Sequence, residues 1–413
     1  MSERPHARNA TFTCVDTQRR QLLKTSLFGA LASFAGNGIA GCDNGARTAP
    51  LPPPVAPPPP PSFGPLQAPD ANGVRVPSGF RTRIVARSLQ PPFVGSGFNW
   101  HVSPDGGATF PAPNGGWIYV SNSEIPIVGG ASALRFDGAG QVVDAYPILS
   151  GTTLNCAGGP TPWGTWLSCE EFDFGNVWEC DPLGGFLPAR LPALGSFKHE
   201  AAAVDPATGI IYLSEDQGDG RFYRFVASVQ TPGGLPDLSN GTLQVAEIQG
   251  GIEGPVIWHD VPDPDGVVVA TRYQVVASTA FDRGEGLWYD AGFVYMTTTG
   301  DSRVWAYNIT SSTITIIYDA ALFANPVLRG VDNITVSPRG EILVAEDGDD
   351  MQLVALMPSG DIEPVLQVIG HDGSEITGPA FDPSGTRMYF SSQRGVAGGV
   401  SLGVTFEMTG PFL

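Results

Sequence analysis

The chain has 413 residues and carries 22 Lys+Arg against 41 Asp+Glu, a formal net charge of −19 at pH 7. An excess of acid this large excludes nucleic acid as a partner. With 53 glycines and 38 prolines, short β-branched and aromatic runs and no long 3.6-period stretches, the sequence excludes a helical bundle and reads as all-β.

The first segment is an address. Arg19-Arg20 is followed by Gln-Leu-Leu-Lys and the apolar run TSLFGALASFAG. This is an n-region with twin arginines and an h-region too short to span a bilayer. It ends in Ile39-Ala40-Gly41-Cys42, which resembles a lipobox whose cysteine is acylated. The expectation is a twin-arginine lipoprotein signal over 1–41, lipid attachment at Cys42, and a mature protein held by that lipid in the periplasm or at the cell surface. No other stretch is apolar for long enough to cross a membrane. Residues 1–41 hold five Lys/Arg and two Asp/Glu, so the remainder has 17 basic and 39 acidic residues, net −22. Bound cations would offset part of that charge.

Residues 50 to 62, PLPPPVAPPPPPS, favour extended polyproline II and form a semi-rigid spacer. Residues 42–75 are therefore expected to be anchor site and linker, and 76–413 a single globular domain.

That domain repeats. GGWIYVSNSE (115–124), GTWLSCEE (164–171), GIIYLSED (209–216), GFVYMTTTGD (292–301), GEILVAED (340–347) and GTRMYFSSQ (385–393) each set a turn glycine before an apolar strand with a polar or acidic end. Their starting glycines at 116, 164, 209, 292, 340 and 385 lie 48, 45, 83, 48 and 45 apart. The long interval holds the insertions GGLPDLSNGTLQ and VPDPDG. A preceding strand and tight turn recur in HEAAAVDPATG, GEGLWYDAG, DNITVSPRG and GPAFDPSG. Six units of about 45 residues predict a six-bladed β-propeller.

The repeat also places acids at equivalent points. Cys156 lies 14 residues before Glu170, Glu200 15 before Glu215, Glu285 14 before Thr299 and Asp332 14 before Glu346. One member begins a strand and the other ends the next, so antiparallel pairing brings them together. Radial repetition then turns all of them to one mouth of the channel. That gathers Glu124, Cys156, Glu170, Glu171, Glu200, Glu215, Asp216, Glu285, Asp332, Glu346 and Asp347. Like charges this close repel, so they titrate upward or hold metal ions. Many hard oxygens suit Ca²⁺ or Mg²⁺, and a thiolate among them suits a transition metal such as iron. Four histidines outside the signal are too few for a His-rich zinc site.

At these motifs the sequence resembles the bacterial PhoX-type alkaline phosphatases. The matching stretches are TLNCAGGPTPWGTWLSCEE, GSFKHEAAAVDP, YLSEDQGDGRFYRF, FDRGEGLWYD, VDNITVSPRGEILVAEDG and ITGPAFDPSGTRMYF. The resemblance implies a six-bladed propeller, twin-arginine export, and an iron and calcium cluster that hydrolyses phosphate esters. It makes Cys156 an iron ligand and the acids above carboxylate ligands. In DRGEG, Arg283 becomes the phosphate clamp, since a guanidinium forks onto phosphate oxygens, with Lys198 as second choice. The partner expected is a small phosphoester, the chain acting as a monomer. Two departures stand out. The family's Asn-His-Glu reads SNSE here, with Ser123 for the histidine, and the chain is shorter than typical members. Two other functions stay open: a calcium-dependent lactonase or esterase-like propeller, and a propeller that only binds.

Cys156, Cys169 and Cys180 are an odd count in an exported fold. Cys169–Cys180 is a possible disulfide, or Cys169 is a buried strand residue. His199 adjoins Glu200 but faces the other way in a strand. His101, His259 and His371 are read as structural, and Trp163 and Trp166 as packing within a blade.

Overall fold

The computed structural model describes residues 62–229, 235–348 and 350–413. The expected signal, Cys42 and all of the proline run except Ser62 lie outside the described residues. Among the described residues no helix is long and apolar enough to cross a membrane.

The described strands form five hydrogen-bonded sheets, one of them nine-stranded and spanning two units, and so sort into six antiparallel units. The first four units, each given from the inner strand outward, run Pro104–Pro111, Trp117–Ser123, Gly129–Phe136, Val142–Thr152; Asn155–Pro160, Trp166–Glu170, Val177–Cys180, Ala189–Arg190; His199–Val204, Ile211–Glu215, Phe222–Ala227, Gly241–Ile248; and Gly284–Asp290, Phe293–Thr298, Arg303–Asn308, Thr313–Asp319. The fifth is Val331–Val336, Ile342–Glu346, Gln352–Leu356 and Ile362–Val368. The sixth takes Ile376–Phe381, Arg387–Ser392 and Val404–Thr409 from late in the chain and its outer strand, Arg81–Arg87, from early in it. Each inner strand packs beside the next, and the sixth beside the first, so the units close into a propeller. An extra strand, Gly254–Asp260, extends the third unit and touches the fourth at Gly254–Ile314.

The end of the expected linker belongs to the fold. Val74 and Arg75 pair with Val368 and Gln367, adding a strand to the fifth unit. Phe63 is buried with them.

The local chemistry is that of short strands buried on both faces. Ile118, Tyr119 and Val120 are all fully buried, as are Leu343, Val344 and Ala345, because each blade packs against two neighbours. Each such side chain contributes roughly 1.5–3 kcal/mol by leaving water. Turns at the far end repeat as well. Asp382 accepts the amides of Ser384, Thr386 and Arg387, and Gly385 takes the left-handed φ of +72° that the turn needs.

The seam between early and late strands centres on Glu407. Arg83 Nε and Arg387 Nη1 reach Glu407 Oε1 at 2.8 and 2.9 Å, and Tyr389 donates to Oε2 at 2.8 Å.

One irregularity recurs in all six inner strands. The pairing register slips between Pro104 and Gly107, Asn155 and Gly158, His199 and Ala202, Gly284 and Leu287, Val331 and Ile334, and Thr377 and Ala380. Each slip is a β-bulge, a device that re-aims a side chain next to a site. The first bulged residues are Asp105, Cys156, Glu200, Glu285, Asp332 and, in the sixth unit, Gly378.

Candidate metal centre

Five bulges thus present four carboxylates and a thiol at the same point of the ring. The residue following each second strand faces them: Glu124, Glu171, Asp216, Thr299, Asp347 and Gln393. Three groups have ligand atoms within 4.8 Å of one another: Asp105 with Glu124 and Cys156, Cys156 with Glu171 and Glu200, and Glu200 with Glu285 and Asp332. Cys156 joins the first to the second and Glu200 the second to the third, so the three form one chain of potential cation sites across five blades.

The bulge also shifts the facing partners by one. Glu170 stands opposite Asn155, Glu215 opposite His199 and Glu346 opposite Val331. These three acids, expected among the ligands, turn away from the channel and tie loops. Glu170 accepts the amides of Thr153 and Asn176. Glu215 takes Arg272, Tyr223 and the Arg221 amide. Glu346 accepts the amides of Arg329 and Gln352. Of the other expected residues, Glu124, Cys156, Glu171, Glu200, Glu285 and Asp332 converge. Asp216 and Asp347 stand at the rim, beside basic side chains.

Those basic groups are three. Arg283 forks onto Asp216 at 2.8 and 3.2 Å and reaches Glu285 at 3.0 Å. Lys198 sits 3.0 Å from Glu171 and 3.5 Å from Asp216. Arg394 lies 3.0 Å from Glu375. Asp105, Glu375, Gln393 and Arg394 escaped the sequence reading. Their signal was positional: Asp105 begins the first unit's inner strand as Cys156 begins the second's, and Gln393-Arg394 follow the sixth unit's second strand.

Burial dominates the electrostatics. It pushes the carboxyls of Asp105, Glu200, Glu285 and Glu375 well above the usual range, and neighbouring acids add to the shift. Glu171 and Asp332 rise to about 8 for the same reasons. The Cys156 thiol rises with them, first by burial and then by the charges of Asp105 and Glu200. Asp216 is the exception. Burial acts to raise it, but hydrogen bonds from Arg283 and Glu171 and the Arg283 charge bring it below the ordinary value.

One observation tests whether these donors suit a metal. Glu200 is fully buried, yet neither carboxylate oxygen has a hydrogen-bond donor. Buried carboxylates are normally satisfied, and a bound cation would satisfy this one. Oxygen donors with one sulfur fit hard divalent ions together with a thiophilic metal. The bulge backbone is itself held: Asn122 Nδ2 donates to the carbonyls of Cys156 and Ala157, while its Oδ1 accepts from Trp166 and Ser168. Beside the bulges lies a cavity of about 20 Å³ among Gly106, Gly158, Gly286 and Gly378. A Cβ on Gly106 would stand 2.5 Å from Ala157 Cα and one on Gly286 2.7 Å from the Asp332 carbonyl.

The remaining expectations resolve simply. Ser123, where the resembling family has histidine, donates to the Val102 carbonyl at 2.7 Å. Cys169 and Cys180 are both free. They stand opposite Val177 and Trp166 and pack into different core clusters. His199 stacks on Phe197 with centroids 3.6 Å apart, and burial lowers it to about 3. His101 is buried and likewise lowered to about 3. Trp166 is a buried packing residue.

Fold and site together define a β-propeller whose mouth gathers acidic groups that could hold metal ions. The family model of alkaline phosphatase PhoX matches residues 119–177 and 172–326. The chain belongs to the PhoX alkaline phosphatase family, whose members are metal-dependent. Among solved structures, PhoX of Pseudomonas fluorescens in complex with vanadate, a transition state analogue, superposes with a TM-score of 0.68 at 18% identity, over 82% of this chain and 96% of that one. This likeness shows the fold. A gluconolactonase of Xanthomonas campestris aligns over 85% of this chain and 99% of its own at 12% identity, with a TM-score of 0.45, too distant to bear on function. No curated protein matches the sequence.

Proposed function

We propose that the protein hydrolyses phosphate monoesters at the propeller mouth, with iron and calcium as cofactors. The observation that carries this is the run of three ligand groups sharing Cys156 and Glu200, with Glu200 buried and without a donor. Family membership and the vanadate bound by the Pseudomonas fluorescens protein support it. Cys156, Glu171 and Glu200 would hold the iron, and Asp105, Glu124, Glu285 and Asp332 the harder ions. When bound, the metals supply charge neutralisation for the phosphate and lower the pKa of bound water.

This chain's own residues then have definite tasks. Arg283 has its guanidinium held by Asp216 and Glu285 while its side chain stays 42% exposed, so it is oriented in advance for phosphate oxygens. Its backbone is fixed too, with φ of +59° and its N–H on the Gln217 carbonyl. Lys198, 3.0 Å from Glu171 and 3.5 Å from Asp216, favours the charged form of both and adds a second positive group on the same side.

Export by the twin-arginine route with lipid attachment at Cys42 belongs to the same proposal. It is supported by the sequence of residues 19–42. Elemental analysis of exported protein, together with turnover of p-nitrophenyl phosphate, tests the function. Iron and calcium should copurify, and Cys156→Ser should lose iron and turnover together. Metal-free protein with full turnover would overturn the proposal.

A further inference from the structure

The basic groups at the mouth are not evenly placed. Lys198 and Arg283 share Asp216, so both stand on the side of the second to fourth blades. Arg394 stands alone on the side of the sixth. Its backbone N–H donates to Ser374 Oγ at 2.8 Å, and Ser374 accepts from Ser392 at 2.9 Å, so the root of the side chain is pinned. Its Nη2 reaches Glu375 at 3.0 Å, while Asp347 Oδ1 is at 3.9 Å, beyond a hydrogen bond. The preceding residue, Gln393, donates to Glu124 at 2.8 Å and also to Asp105. Arg394 therefore rises directly beside the first ligand group, and its side chain is 32% exposed.

One phosphate held by Arg283 and a metal group does not need a second guanidinium on the far side. We infer that Arg394 reads a second anionic group on the substrate, so that the enzyme selects phosphoesters bearing another carboxylate or phosphate near the ester. This rests on the phosphatase reading of the mouth. A guanidinium keeps free N–H groups after pairing once, and its planar fork matches carboxylate and phosphate alike. The plainer role, neutralising buried Glu375, makes a different prediction: loss of Arg394 would then weaken the fold without changing selectivity.

Glycerol 2-phosphate and 2-phosphoglycerate separate the two, because the second differs by a carboxylate in place of a hydroxymethyl group. In the metal-loaded enzyme, Arg394→Gln should lower the ratio of kcat/KM for 2-phosphoglycerate to that for glycerol 2-phosphate by about tenfold, mainly through KM. Arg394→Lys, which keeps the charge without the fork, should fall between. An unchanged ratio in Arg394→Gln, with a lower melting temperature, would overturn the inference and leave the phosphatase reading intact. If the wild type turns over neither these esters nor p-nitrophenyl phosphate, that reading fails. Calorimetric binding of the two esters to wild type and Arg394→Gln then decides the inference by the same tenfold criterion.

Discussion

Glu407 and Glu200 are both buried carboxylates on strands of one propeller, and their surroundings differ in every respect. Glu407, at the seam, receives two arginines and a tyrosine. Glu200, at the mouth, receives no donor and faces Glu285, Glu171 and Asp332. A fold that can satisfy a buried acid so fully in one place leaves another bare where a cation would complete it. The contrast assigns the seam carboxylate to stability and, on the proposed function, the mouth carboxylate to chemistry.

The largest test of that division is Glu200→Gln. It should lower phosphatase turnover by on the order of 10³, several kcal/mol of lost transition-state stabilisation, while the metal-free protein unfolds at equal or higher urea concentration. A metal-free variant less stable than wild type would erase the contrast. Glu407→Gln should behave oppositely. Leaving Arg83 and Arg387 without their shared partner should cost about 1–3 kcal/mol of unfolding free energy, since both side chains keep part of their solvation, with metal content per folded molecule retained.

The contrast also has a pH signature. Glu171 and Asp332 rise from ordinary values of 4.5 and 3.8 to about 8. Groups with raised folded-state values bind more protons folded than unfolded, so they stabilise most at low pH. The chelated protein should therefore lose stability as pH rises from about 4 through 8, and calcium should restore it at pH 8. A melting temperature flat across that window would mean the acids are not sharing charge as the geometry indicates.

The smallest test compares neighbours. Glu170→Gln should cost about 1–2 kcal/mol by weakening the hold on the Thr153 and Asn176 amides and leave metal binding intact. Glu171→Gln should do the reverse. Identical metal loss in both would show that the off-by-one assignment is wrong.

Much of this was legible in the sequence because the chain repeats. Spacings near 45 residues predicted the propeller, and Cys156, Glu200, Glu285 and Asp332 were found by occupying one position in successive repeats. The bulge was not legible. Counting 14 or 15 residues between strand ends assumes an unbroken ladder, and one extra residue moved the facing acid from Glu170 to Glu171, from Glu215 to Asp216 and from Glu346 to Asp347. Asp105 is not legible because the first repeat declares itself on its second strand, GGWIYVSNSE, and PDGGATF has no motif of its own. Glu375 and Arg394 escaped because the sixth unit carries Gly378 and Gln393 where most others carry an acid.

The seam has a further consequence for the order of events during biosynthesis. Arg81–Arg87 is made early but pairs with Val404–Thr409, so the ring stays open until almost the whole domain has been translated. The mouth draws on the bulges of five blades and is in register only once that last pairing forms. Loop closure across such a span is slow. Completion of the ring, and with it of the mouth, is thereby deferred to the last strands of the chain to be made.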